Sequence, residues 1–351
     1  MEPIILDEFK YSLEDIQKLS KEHPITERKD LYCAQLAELY EVNYPARKLQ
    51  NSTNKKKFFN DKLSPNADIR GNWVYFPWNG HLIHTLNRDD YFELRTNRNQ
   101  LLVSTQEQKR IYRSTVGVLG LSIGSHIAVN LCQQGISKTI KIADDDSIDT
   151  TNLNRIRGSL IDVSKDKTVS VQEKIHELNP YNKVVSFGKL TEENLPMFLG
   201  NSPRPNVIVE VIDDFKMKVH LRCLARKYRI PVIMLSNVAD NIIIDVERYD
   251  LSSNLSFFNG LLGNLPEQII REPNTDPNIL AVAMVGKELI PDKALKSVKE
   301  IGKTLVGRPQ LISTISVSSG IATYMIREIL LGNDQIQGRK VLRLDDIFYK
   351  E

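Results

Sequence analysis

Between residues 117 and 167 lie side chains whose types and spacing suit nucleotide chemistry. Gly117, Gly120 and Gly124 punctuate the run GVLGLSIGSH, where a strand pattern gives way to a helical one. Glycines at such a turn let the backbone approach a phosphate, and the amides and dipole of the following helix favour its negative charge. The spelling departs from GxGxxG, because Ser122 stands where the second glycine is expected. Roughly 20 residues beyond the glycines, the strand pattern Thr139–Ala143 ends in Asp144-Asp145-Asp146, which places acids where ribose hydroxyls would lie. To this point NAD and ATP are served equally. Asn152 and Arg155 then follow three apart, able to share one face of a helical turn, and Lys167 adds a second cation ahead of the next helix. A dehydrogenase has no use for an amide and cations beside its ribose acid, whereas phosphoryl or nucleotidyl transfer needs such donors on phosphate oxygens.

The same letters also spell G-L-S-I-G, the elbow of a serine hydrolase with Ser122 as nucleophile. That chemistry wants an acid and then a histidine in a late loop, and the downstream histidines, His126, His176 and His220, all fall in helical patterns. The hydrolase reading is therefore set aside.

The elements that must position these residues are legible from residue 115 onward. Apolar runs TVGVLGL, TIKIA, VVSFG, NVIVEVID and PVIML alternate with amphipathic stretches, including a helix from about Ser125 to Gln134, VSVQEKIHEL and KVHLRCLARKY. Alternation at this spacing implies βαβ units and an α/β, doubly wound, mostly parallel sheet. IIIDVERYDL reads as a further strand, followed by irregular loops containing Pro266, Pro273, Pro277 and Pro291. A last helix, about 314–331, stops at Gly332 as at a C-cap. Ahead of this core, residues 8–45 read as two short helices broken by Pro24, and residues 46–68 as an exposed connection with a solvated KKK run. Asn79-Gly80 marks a type I′ hairpin carrying the aromatic residues Trp73, Tyr75 and Trp78.

Composition narrows the class. The chain has 351 residues, 41% hydrophobic and 26% charged, which places it among folded globular proteins of about two domains. Its 47 Lys and Arg against 44 Asp and Glu leave a net +3, too balanced for a nucleic-acid footprint. No run is apolar enough to span a membrane, and the acidic, amphipathic N-terminus lacks the pattern of a signal peptide, so an unprocessed soluble chain is expected. Three isolated cysteines, Cys33, Cys132 and Cys223, spell neither a disulfide framework nor a zinc site, which fits a reducing cytoplasm. Cys132 and Cys223 read as core residues of helices.

The runs GLSIGSHIAVNLCQQGI, IADDDSIDTTNLNRI, KDKTVSVQEKIHELNP and EVIDD, in this order, resemble the ThiF/MoeB/HesA group of adenylating enzymes, relatives of ubiquitin-activating enzymes. The resemblance covers residues 95–240 and returns at 309–332, so that residues 1–94 form an N-terminal helical and hairpin extension and 95–351 the adenylating domain. The extension resembles more loosely that of ThiF-like proteins, some of which carry a nitroreductase-like half behind, which this sequence does not include. The resemblance implies an ATP-dependent adenylyltransferase that needs Mg²⁺, with Gly120, Ser122 and Gly124 at the phosphates and Asp144 and Asp146 at the ribose. Asn152, Arg155 and Lys167 would lie at the triphosphate, and Asp213 would hold the metal. Arg98, in TNRNQLL, is similar to an arginine that such enzymes reach across a homodimer. The substrate implied is a carboxylate of a peptide, small carrier protein or small molecule, with no nucleic acid and no membrane as partner. The paired CxxC zinc site of the group is absent, and no cysteine follows Asp213 in the irregular region, so adenylation without zinc and without an enzyme thioester is expected. A module that binds nucleotide or peptide without turnover and an NAD-dependent oxidoreductase are the competing readings.

Overall fold

The computed structural model describes residues 1–46, 52–64, 66–200, 203–263 and 277–349. Pro266 and Pro273 lie outside the described residues. The chain forms two compact units, one of Met1–Gln108 with Glu173–Tyr181, the other of Lys109–Gln172 with Asn182–Glu351.

The first unit is built on a four-stranded sheet of β1 (Ile4–Leu6), β2 (Glu27–Asp30), β3 (Asn72–Phe76) and β4 (His81–Thr85), in the order β1-β3-β4-β2. The β3 residues are all buried, so both faces of the sheet are covered. Trp73 and Tyr75 face Ile16 and Leu19 of helix α1 (Leu13–Glu22). That helix begins at a Ser12/Asp15 capping box, which satisfies amides that a helix start otherwise leaves unpaired. Leu36 and Leu39 of α2 (Tyr32–Asn43) pack with Leu86, and Phe58, Phe59 and Leu63 of α3 (Ser52–Leu63) cover them. The unit continues through α4 (Arg88–Thr96) into α5 (Thr105–Tyr112).

Three sequence expectations need correction in this unit. The stretch read as a connection contains α3; its three apolar residues sit among Lys and Asn, so the helical period was diluted, while Lys55, Lys56 and Lys57 are exposed as expected. The hairpin forms, but Phe76 pairs with His81 across the four-residue loop Pro77–Gly80 instead of a two-residue type I′ turn. Gly80 alone in that loop takes a left-handed backbone, at φ 74°. Strands β1 and β2 were not foreseen: β2, ERKD, is exposed throughout and held by its backbone pairing to β4, which no side-chain pattern reports.

His176 is 2% exposed, and neither ring nitrogen has a hydrogen-bond partner among the described residues. Burial, with the nearby N-terminal amine, pulls its pKa down to about 4 from an ordinary 6.5. As pH falls through that interval the unfolded chain gains a proton that the folded chain refuses. The stability this neutral ring contributes is present above 6.5 and lost as pH falls through the folded value. The loss reaches about 3 kcal/mol. Denaturant unfolding between about pH 4 and 7 should therefore show a steeper acid decline in the parent protein than in His176→Leu. Parallel curves would show that the ring is hydrated.

The second unit is the doubly wound core. In chain order it holds β5 (Thr115–Leu119), α6 (Ile123–Gln133), β6 (Thr139–Ala143), α7 (Lys167–Leu178), β7 (Lys183–Phe187), α8 (Leu195–Gly200), β8 (Val207–Glu210), α9 (Phe215–Tyr228), β9 (Val232–Val238) and β10 (Asn241–Glu247). After these come α10 (Pro277–Val285), α11 (Asp292–Val298), α12 (Ile312–Leu331), β11 (Gly338–Arg343) and α13 (Asp345–Phe348). The C-terminal part of α7 and the first part of α5 are counted with the first unit. The sheet order is β11-β10-β9-β8-β5-β6-β7, parallel from β9 to β7, with β10 and β11 antiparallel at one edge. Strands β5, β6 and β8 are buried at every residue, the mark of a sheet covered on both faces. Helix α12 packs on α6 and β9 and ends at Gly332, φ 93°, as expected. The region read as loops after β10 also contains α10 and α11, and β11 was not foreseen.

From β5 the chain winds outward through β6 to β7 and then returns to β8 on the other side of β5. The order therefore reverses between β5 and β8, and a crevice opens at their carboxyl ends.

Candidate nucleotide site

The glycines shape that crevice. Gly120 ends β5 with φ 85°, and a Cβ there would stand 2.7 Å from the carbonyl oxygen of Val211, which follows β8. A Cβ on Gly124 would meet Val118 at 2.8 Å, so the absent side chain lets α6 close onto β5. Helix α6 starts at Ser122 with no side-chain cap, which leaves its first amides open toward the crevice. The Ser122 hydroxyl is buried and has no partner among the described residues.

Asp144, the first residue beyond β6, accepts from the Leu121 amide at 2.6 Å and from the Asp146 amide at 2.9 Å. Burial raises its pKa above the ordinary carboxylate range, against the pull of the Leu121 amide and of Lys167. Lys167, the first residue of α7, lies 2.6 Å from Asp146 and 3.5 Å from Asp144. The cation expected at phosphates thus rests on the two acids expected at the ribose. Oxygens of Asp144, Asp145 and Asp146 gather within 4.8 Å of one another, with Lys167 paired to Asp144 and Asp146 and Lys189 to Asp145.

Arg155 is drawn to the same helix end. Its carbonyl faces His126 Nε2 of α6 at 2.8 Å, and the Arg157 amide donates to Ser125 Oγ at 3.2 Å. Its guanidinium donates from Nη1 to the Thr151 carbonyl and to Asn154, each at 3.0 Å, while Nε is buried without a partner among the described residues. Burial lowers its pKa from the ordinary guanidinium value. Asn152 is buried and closes a reciprocal cap with Asp149, which shapes the 3₁₀ turn just before Arg155.

Asp213 follows β8 beyond the crevice's second wall, and its side chain is 86% exposed. The helix cap beside it falls to its neighbour, Asp214, which accepts from the Met217 amide at the start of α9. Asp213 pairs instead with Arg308, a residue that sequence reasoning missed because a lone arginine before a proline carries no signal. Arg98 is an exposed residue of a short 3₁₀ turn in the first unit. His126, His176 and His220 lie in helices, as the rejection of a hydrolase elbow required. Cys132 is buried in α6 as expected, but Cys223 is exposed on α9, a correction: the helix's buried stripe runs through Val219, Arg222 and Ala225 and leaves position 223 outside. Burial of its sulfur nevertheless raises the Cys223 thiol, which disfavours the thiolate.

Among the described residues, no helix is long and apolar enough to cross a membrane. A mostly parallel, doubly wound sheet with an uncapped helix start at its switch point defines a Rossmann-like α/β protein. Residues 96–240 match the ThiF family, and this part of the chain is a ThiF-family domain, preceded by an N-terminal extension. The chain is 32% identical over 272 residues to the uncharacterized protein MT1398 of Mycobacterium tuberculosis (strain CDC 1551 / Oshkosh), covering 76% of this chain and 37% of that protein. It is 29% identical over 146 residues to a tRNA threonylcarbamoyladenosine dehydratase of Bacillus subtilis (strain 168), covering 41% of this chain and 56% of that enzyme. Both matches therefore span less than two thirds of the relative's length. The crystal structure of PaaA shares the fold, with a TM-score of 0.53 at 21% identity over 73% of this chain and 77% of PaaA.

Proposed function

We propose that this chain is an ATP-dependent adenylyltransferase. A substrate carboxylate oxygen attacks the α-phosphorus of ATP, the bond to the bridging oxygen breaks, and pyrophosphate leaves with that electron pair. The observation that supports this best is that the ThiF-family stretch coincides with the crevice where an open helix start, two cations and an acidic tract meet.

Gly120, Ser122 and Gly124 would cradle the phosphates, with the orphaned Ser122 hydroxyl as a donor. Asp144 and Asp146 would receive the ribose hydroxyls, exchanging Lys167 for the sugar and freeing that cation for phosphate oxygens. Arg155 would stabilise charge on the α-phosphate through its unpartnered Nε, and Asn152 would hold the turn that presents it. Such groups act by position and charge, and little covalent work is asked of the protein. Asp213 fits a magnesium ion, which takes one or two carboxylates and completes its shell with phosphates and water. When bound, that ion would neutralise phosphate charge. Arg98 would come from a second copy in a homodimer. Residues 95–351 would be the adenylating domain and 1–94 an extension serving substrate recognition or assembly.

The substrate would be the carboxylate of a peptide, small carrier protein or small molecule. The net charge of +3 supplies no polyanion footprint. With Cys132 buried and the Cys33 and Cys223 thiols raised by burial, the acceptor of the acyl-adenylate would come from the substrate or another molecule, not from an enzyme thiol, and the scattered cysteines argue for a zinc-free protein in a reducing cytoplasm.

Titration calorimetry with MgATP, followed by ATP–pyrophosphate exchange with candidate peptides and carboxylates, tests the reading. Binding with exchange is the expected result. Binding without exchange for any carboxylate would favour a module that has lost turnover, and NADH binding in place of MgATP would favour an oxidoreductase.

A further inference from the structure

The short segment ahead of α12 runs across the mouth of the crevice and is tied on both sides. On one side Arg308 donates to the carboxylate of Asp213. On the other, Nδ2 of Asn154, adjacent to Arg155, donates to the Gln310 carbonyl at 3.0 Å. The two ties are two residues apart, and an extended chain advances only ~3.3–3.6 Å per residue. Asn154 and Asp213, on the segments that follow β6 and β8, are therefore bridged by residues 308–310, a strap at the carboxyl ends of these strands.

The strap is built to shift. Val306 to Pro309 are exposed, the position a Cβ of Gly307 would take meets open space, and Gly302 adopts φ 79°. The Asp213–Arg308 pair has side chains 86% and 52% exposed, and ion pairs so open to water are readily exchanged. Yet the acid that Arg308 occupies is the one assigned to the metal, and the strap's second tie lies beside the arginine assigned to the α-phosphate. A guanidinium's planar fork can pair two phosphate oxygens as it pairs a carboxylate, so Arg308 can pass from Asp213 to a phosphate without loss of geometry.

Resting on the adenylation reading, we infer that Arg308 is a further nucleotide-contacting residue, delivered by this strap. On MgATP binding its guanidinium gives up Asp213 to the metal and pairs with phosphate oxygens, while the Asn154–Gln310 tie keeps the strap across the opening.

Calorimetry on the full chain compares the parent protein with Arg308→Gln and Arg308→Lys. MgATP should bind Arg308→Gln roughly tenfold or more weakly, with Arg308→Lys between the two and unfolding midpoints unchanged. Independently, amide hydrogen exchange of residues 303–311 should slow on MgATP addition in the parent protein and not in Arg308→Gln. Equal affinities with unaltered exchange would reduce the contact to a surface ion pair and overturn the inference. Tighter binding by Arg308→Gln would also overturn it, by showing that Arg308 only blocks Asp213. If the parent protein binds no MgATP, the nucleotide reading itself fails, a result distinct from either.

Discussion

Arg155→Ala should lower ATP–pyrophosphate exchange by roughly 10²–10³-fold, the loss seen when one preorganised donor is removed from a developing oxyanion, equivalent to about 2.7–4 kcal/mol of barrier. The residue's surroundings make the test clean. Among the described residues its side chain bonds only to groups of its own loop, the Thr151 carbonyl and Asn154, while its backbone carbonyl makes the bond to His126 that docks the loop on α6. The substitution keeps the backbone bond, so the fold should survive and the unfolding midpoint should move little. Arg155→Lys should recover only part of the rate, because an ammonium restores the charge but not the directed N–H of the planar guanidinium. A structural arginine would behave differently: Arg155→Ala would shift the midpoint and leave exchange per folded molecule unchanged.

Arg222→Ala should cost about 3–5 kcal/mol of stability, the range for removing one partner of a buried ion pair. Arg222 is wholly buried on α9, with Nε 2.7 Å from Glu247, Nη1 3.1 Å from Glu210 and its guanidinium 3.9 Å from the centre of the Phe258 ring. Lys218 holds the other oxygen of Glu210 at 2.5 Å, so two cations and two buried acids pair with one another. With Arg222 gone, Glu247 keeps, among the described residues, the Tyr249 hydroxyl and the Phe258 amide as donors, and burial, which already raises its pKa, would lose the opposing pull of Arg222. The network also reaches the candidate site: Glu210 Oε1 accepts from the Ile212 amide, which fixes the backbone just before Asp213. Denaturant unfolding measures the effect. A shift below about 1 kcal/mol would mean that water reaches these charges after all.

The two tests probe different layers of legibility. Arg155 could be singled out by reading, because the chemistry proposed for it rests on its type and on its distance from the glycines and Asp144, all within one βαβ unit. The buried quartet could not. Lys218, Arg222, Glu210 and Glu247 read in sequence as ordinary charges on a helix face and at strand ends, and their value arises from contact across three elements. The short strands β1, β2 and β11 escaped for a related reason, since their partners lie far off in the chain and pairing is made by backbone groups common to all residues. Helix α3 escaped because three apolar residues suffice to anchor it once Leu36 and Leu39 are in place.

Local order was determined by the sequence alone: alternating apolar periods set the strands and helices of the parallel core from residue 115 to β10, glycine placement set the turn at the crevice, and charge type set the chemistry on offer there. Tertiary structure alone decided which charges are shared. It rests Lys167 on Asp144 and Asp146, gives the helix cap to Asp214 and leaves Asp213 to Arg308, and it ties residues 308–310 to Asp213 and Asn154. The reason is physical: periodicity follows from the backbone geometry of one segment, whereas an ion pair depends on distance and burial, which exist only after segments remote in sequence have packed together.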